Sequence, residues 1–176
     1  MIGSITGVDP IASAGRLLRE HAVTDTVVPV TAIARGAGLR LRYVDLPEDP
    51  DVHGFIDPVS GTVAVNAADR PEIQMTTIAH QLGLWVMHRD HVLDDRRYAA
   101  LTSETWDAPA GTAQADACMF ASELLMPGFL VERYHTHAWL RPSVGSMARI
   151  FGVTDRLVRM RLGRSRWPLP RRSVQG

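Results

Sequence analysis

The sequence predicts an α+β fold in which a small antiparallel sheet packs on a helical core. Residues 75–88 carry apolar side chains at helical spacing, and residues 39–66 hold three short stretches of strand-like character. A second helical pattern follows after residue 112. The chain has 176 residues with 45% hydrophobic and 22% charged residues, as expected for one globular domain without membrane-spanning runs.

The first half of the chain contains two predicted helices and the sheet. Asp9 followed by Pro10 is a typical helix start, and the next ten residues keep helical spacing. Residues 29–35 predict a short second helix. The strand candidates are residues 39–44, 52–57 and 62–66, and turn residues between the last two predict a hairpin.

The second half is predicted to be helical. One continuous helix is expected over residues 72–90, followed by a connecting loop over 96–111 that is rich in polar residues. Further helices are expected over 112–126, 129–137, 144–151 and 154–164. The last two form a helix-turn-helix-like pair.

The charges are unevenly distributed although the net charge is zero. Residues 1–140 hold ten arginines and 18 acidic residues, a net charge of −8; residues 141–176 hold nine arginines and one acid, a net charge of +8. There is no lysine. The single cysteine, Cys118, allows no intrachain disulfide and is consistent with a reducing cytoplasm, where we expect the protein to reside. We expect Cys118 to be a small buried residue rather than a nucleophile.

The predicted helix over 72–90 carries a degenerate metal-binding motif. Zinc peptidases place two histidine ligands four residues apart on a helix, with a glutamate after the first, in the pattern H-E-x-x-H. Here the five positions read His80-Gln81-Leu82-Gly83-Leu84. The first ligand is present, whereas the base and the second ligand are replaced.

Four sequence blocks, in order, resemble the ImmA/IrrE family of metallopeptidases. The block from Thr76 to His88 resembles the family's F-T-[IL]-A-H-E-L-G-H-x-x-x-H helix, and the block from Gln114 to Pro127 resembles E-x-x-A-N-x-F-A-x-x-L-L-M-P. Residues 54–66 resemble its hairpin, and 147–162 its closing helical pair. The resemblance implies a zincin-like fold, with a metallopeptidase-like domain over residues 1–140, the helical pair over 141–165 packed on it, and a basic proline-containing tail over 166–176.

The resemblance also assigns roles to the degenerate positions. In active members both motif histidines and a glutamate of the later helix hold zinc, and the motif glutamate activates a zinc-bound water. The corresponding residues here are His80, Leu84 and Gln114 for the ligands and Gln81 for the base. A glutamine amide cannot accept a proton. We therefore expect no active catalytic site and no zinc, and we interpret His80 as a core histidine.

Two alternative metal sites come from nearby residues. Asp116 could assist His80, but it lies about 200° around its helix from Gln114. His88 and His91, three residues apart beside several aspartates, could form a rival surface site. The alternative interpretation of these histidines is a solvated, polar helix end.

The sequence and the resemblance favour a catalytically inactive, pseudopeptidase-type regulatory module that binds a protein, such as a transcriptional regulator of phage, mobile-element or stress systems. The first alternative is an active zinc endopeptidase with altered ligands that cleaves a transcriptional repressor. The second alternative is a DNA-binding regulator that uses Arg156, Arg159, Arg161 and Arg164 of the Arg-rich C-terminus. The competing interpretation of these arginines is pairing with the acidic remainder of the chain.

Overall fold

The computed structural model describes residues 7–46, 51–94, 100–137 and 142–164 and confirms the α+β class. The helices are Pro10–Glu20 (α1), Val30–Gly36 (α2), Pro71–Asp94 (α3), Ala113–Leu125 (α4), Gly128–His137 (α5), Val144–Phe151 (α6) and Asp155–Arg164 (α7). The strands are Arg40–Val44 (β1), Val52–Asp57 (β2), Thr62–Asn66 (β3) and Ala100–Thr102 (β4). Asp9 caps α1 by accepting hydrogen bonds from the backbone N–H groups of Ile11 and Ala12.

The sheet is mixed rather than antiparallel, which corrects the sequence prediction. Its strand order is β1-β3-β2-β4. After β1 the chain forms β2 two positions away in the sheet, and β3 then lies between β1 and β2. The β2–β3 and β2–β4 pairs are antiparallel, whereas β1 runs parallel to β3. Helix α3 packs against one face of this sheet, where Ile56, Val63 and Val65 are buried.

Helices α3 and α4 form the centre of the molecule and pack closely together. Gly83 makes this possible, because a Cβ atom there would lie 3.0 Å from the ring of Phe120 and 3.2 Å from the Cα of Ala117. The prediction of one continuous helix over residues 72–90 was wrong at one residue. The backbone of His88 leaves the helical region, with φ −134° and ψ 23°, and the helix then continues to Asp94.

The segment predicted as a connecting loop over residues 96–111 contains two short elements. Strand β4 adds to the edge of β2, and a 3₁₀ helix over Ser103–Asp107 follows directly. Thr102 and Thr105 cap this turn reciprocally, and the Sγ of fully buried Cys118 lies 3.6 Å from the carbonyl oxygen of Thr105. The 3₁₀ helix is thereby held against α4.

The C-terminal helical pair is tied to the core by a buried ion pair. Helix α6 ends at Gly152 in the left-handed conformation, and α7 follows after a short turn. Arg161 of α7 pairs with Glu123 of α4 and donates from Nε to the carbonyl oxygen of Met126 at 3.0 Å. Burial raises the pKa of Glu123, and the Arg161 guanidinium opposes that shift. The proposed tail over 166–176 lies outside the described residues.

None of the helices in the described residues is both long and apolar enough to cross a membrane.

Candidate functional site

The four degenerate positions lie together between α3 and α4. His80, Gln81 and Leu84 of α3 are fully buried, and Gln114 at the start of α4 is also buried. Gln114 lies close enough to His80 to influence its pKa, so the two residues are neighbours, but neither ring nitrogen of His80 makes a hydrogen bond to another described residue. The four positions singled out by the sequence blocks thus lie in one site.

The side-chain amides of the two glutamines contact the sheet. The amide nitrogen of Gln81 donates to the carbonyl oxygen of Gly54 in β2 at 3.5 Å, and that of Gln114 donates to the carbonyl oxygen of Ala100 in β4 at 3.4 Å. Both are long hydrogen bonds. An ionised glutamate has no N–H or O–H to donate at either position. At these two positions the amides thus connect α3 and α4 to neighbouring strands.

His80 is held in its neutral form. Complete burial lowers the pKa of His80 from 6.5 to about 3, because removal from water disfavours the charged ring; the neighbouring Gln114 opposes this shift only in part. The ring of Trp106 in the 3₁₀ helix lies near His80, with 6.3 Å between ring centroids and a tilt of 60°. The imidazole therefore has an aromatic side chain among its neighbours.

The side chains of this site do not fit a catalytic zinc ion. Such a site needs three protein ligands and an open position for water. Here His80 supplies an imidazole, Leu84 supplies no donor atom, and Gln114 supplies only a neutral amide. Among the described residues no group of three or more histidine, cysteine or acidic side chains is arranged to hold a metal ion.

Asp116 and His88 form a separate buried pair. Nε2 of His88 lies 3.1 Å from Oδ2 of Asp116, and both side chains are almost completely buried. The expectation of a solvated helix end is thus wrong for His88, and a surface metal site with His91 loses one of its two ligands to the interior. The side chain of His91 lies outside the described part of the structure. Asp116 contacts His88, which lies one helical turn after Leu84 on α3. Asp116 therefore does not replace the missing ligand beside His80.

The four C-terminal arginines have different environments. Arg161 is engaged in the buried pair with Glu123, which contradicts its predicted availability for phosphate contact. Arg156 forms an exposed ion pair with Asp107 of the 3₁₀ helix at 3.1 Å. Arg159 is exposed on the same face of α7 as Arg156, and the side chain of Arg164 lies outside the described residues. Two of the four arginines therefore link α7 to the rest of the domain.

Several contacts at the site were not predicted from the sequence. The acceptors at Gly54 and Ala100 are backbone carbonyl groups, so the residue types at those positions do not predict these hydrogen bonds. One feature of the sequence could have predicted the His88–Asp116 contact. His88 follows Leu84 by four residues, which places the two on one face of a helix, and that face continues toward α4.

A helix with an H-E-x-x-H-type frame, packed between the helix that carries Gln114 and a small sheet, defines a metallopeptidase-like fold whose ligand set is degenerate. The IrrE N-terminal-like domain matches residues 34–162, so the chain belongs to that family. A Mycobacterium tuberculosis transcriptional regulator of known structure is similar over 92% of this chain, with a TM-score of 0.64 and 19% sequence identity. This chain spans about half of that structure, 48% of its length. No curated protein matches the sequence.

Proposed function

We propose that this protein is a non-catalytic member of the IrrE-like family that regulates by binding another protein. The observation that carries the proposal is the buried Leu84 at the position of the second metal ligand. Leu84 is fully buried and belongs to the main hydrophobic cluster, which supports the proposal that this ligand position has become part of the core. Replacing a buried charged centre by apolar packing is often neutral or stabilising.

The regulatory part of the proposal has two supports. The sequence blocks resemble a family whose members act on transcriptional regulators, and the similar structure from Mycobacterium tuberculosis is a transcriptional regulator. We therefore propose a transcriptional regulator as the protein partner. We further propose that the complex forms in the cytoplasm, consistent with the single buried thiol of Cys118.

The binding mode follows from the closed site. The burial of His80, Gln81 and Leu84 argues against entry of a partner segment into the former active site. The sheet offers an alternative that needs no metal. An extended peptide can add to the edge of a sheet through main-chain hydrogen bonds.

Two rival proposals have less support. An active zinc peptidase with altered ligands would need donor atoms that Leu84 and Gln81 do not provide. A DNA-binding role through α7 would lose Arg161 to its buried pair with Glu123, and Arg156 is paired with Asp107. Each remaining phosphate contact would release about one counterion, so binding to duplex DNA would have to weaken steeply with salt.

The proposal is tested by looking for hydrolysis directly. The protein is incubated with a peptide library made from digested cell lysate, once with equimolar zinc and once with chelator, and new peptide termini are identified by mass spectrometry. The triple variant Gln81→Glu, Leu84→His, Gln114→Glu is the comparator with the complete motif. We expect no zinc-dependent termini from the natural sequence. Chelator-sensitive cleavage by the natural sequence would replace this proposal with the altered-ligand enzyme.

A further inference from the structure

Strand β1 is a free edge of the sheet within the described residues. It pairs with β3 on one side, and no described strand lies on its other side. The N–H of Arg40 bonds to Gly61, and the carbonyl oxygen of Val44 accepts from Ala67, so residues of this parity face β3. The backbone groups of Leu41 and Tyr43 consequently point away from the sheet, where a fifth strand would bond.

The side chains on β1 give this edge a positive charge. Arg40 and Arg42 are exposed on the sheet face opposite α3, two residues apart and therefore about 6.6 Å apart along the strand. Arg40 donates to the carbonyl oxygen of Ser60 at 2.8 Å, which orients its guanidinium at the hairpin and leaves further N–H donors. The opposite face of the same edge carries Tyr43, which is 49% exposed.

The charge pattern of β1 favours some partner strands over others. A second copy of β1 is disfavoured, because antiparallel pairing of two such strands brings arginine against arginine, and like charges directly opposite one another are destabilising. Arginines on an edge strand protect against such self-pairing. An extended segment with acidic residues at every second position has the same 6.6 Å repeat on one face, so its carboxylates match Arg40 and Arg42.

We propose that β1 is the docking edge for an extended partner segment in which acidic and apolar residues alternate. The main chain of that segment pairs with Leu41 and Tyr43, its carboxylates pair with Arg40 and Arg42, and its apolar side chains pack on the Tyr43 ring. This inference rests on the proposed protein-binding function and assigns the chemistry of the partner. The choice of β1 over β4 follows from length, because β4 has three residues and runs directly into the 3₁₀ helix.

A capped synthetic peptide of sequence Thr-Glu-Val-Glu-Val-Glu-Thr is the probe, and a peptide of the same composition with its three glutamates adjacent is its control. Affinity is measured by fluorescence anisotropy with the full chain at low salt. Amide hydrogen exchange is followed by NMR at the same time. We expect the alternating peptide to bind more tightly than its control and to protect the amides of Leu41 and Tyr43.

Charge variants separate the proposed pairing from general attraction. Arg40→Gln and Arg42→Gln should each weaken binding about two- to fivefold, as expected for the loss of one exposed ion pair, and the double variant should show roughly the product. Arg16→Gln on the exposed face of α1 is the matched control and should bind like the natural sequence. Thermal unfolding confirms that each variant is folded.

Several results would overturn this inference. They are equal affinity for the two peptides, no binding of either, unprotected Leu41 and Tyr43 amides, or a double variant that binds normally. Displacement of the peptide by oligothymidine together with direct oligothymidine binding would assign the arginines to nucleic acid instead. Zinc-dependent cleavage would refute the underlying proposed function, whereas an inactive protein that ignores the peptide would refute the docking edge alone.

Discussion

Acidification should destabilise this protein through the buried His80, and the effect can be calculated. Burial lowers the pKa of His80 to about 3 in the folded state, while the unfolded chain keeps the ordinary value of 6.5. Between these values the unfolded state binds the proton and the folded state does not, so stability is fully present above pH 6.5 and is lost as the pH falls toward 3. At pH 5 the loss is about 2 kcal/mol, since each pH unit below 6.5 costs about 1.4 kcal/mol.

Urea unfolding at pH 7 and pH 5 measures this loss. The variant His80→Gln should lose about 2 kcal/mol of the pH dependence, whatever its stability at pH 7, because glutamine does not titrate. His21→Gln, at the exposed end of α1, serves as the matched control and should keep the full dependence. Equal pH dependence in the natural sequence and in His80→Gln would refute the neutral, dry environment assigned to this ring.

Four further substitutions test the packing of the site and its links to the sheet and α7. Leu84→Ala should lower the free energy of unfolding by about 2–5 kcal/mol in urea titrations, because it opens a cavity in the core; a loss below about 1 kcal/mol would mean that the site is not closely packed. Gln81→Glu should cost about 1–3 kcal/mol at pH 7 and less at pH 4, where a protonated carboxyl can again donate to Gly54; a cost that grows on acidification would argue against the amide contact. Arg161→Met should cost about 3–5 kcal/mol by leaving Glu123 buried and unpaired, whereas Arg156→Gln in an exposed pair should cost at most about 1 kcal/mol; equal losses in thermal or urea unfolding would contradict this distinction.

Local sequence patterns were sufficient for the long helices and for the position of the site. The periodicity around Ile78 and Leu82 predicts α3, and the order of the motif blocks predicts that Gln114 lies on the helix facing His80. Strand β4 was missed because three residues are too few to show an alternating pattern. The parallel pairing of β1 was missed because strand order depends on contacts that are distant in sequence.

The environment of polar residues was the least predictable feature. His88 precedes a charged segment and was expected to be solvated, yet its partner Asp116 lies 28 positions later in the chain and permits its burial. Arg161 belongs to an arginine-rich helix, and nothing in that helix distinguishes it from exposed Arg159. Its buried role depends on Glu123 of another helix. Such pairs become visible only when the fold brings the two helices together.

Zinc titration by isothermal calorimetry, performed on the natural sequence and on the triple variant Gln81→Glu, Leu84→His, Gln114→Glu, tests the central claim most directly. If the position of the metal centre is now part of the hydrophobic core, the natural sequence should show no stoichiometric zinc binding. One tightly bound zinc ion per natural chain, lost in His80→Gln, would contradict the account and restore a working metal centre.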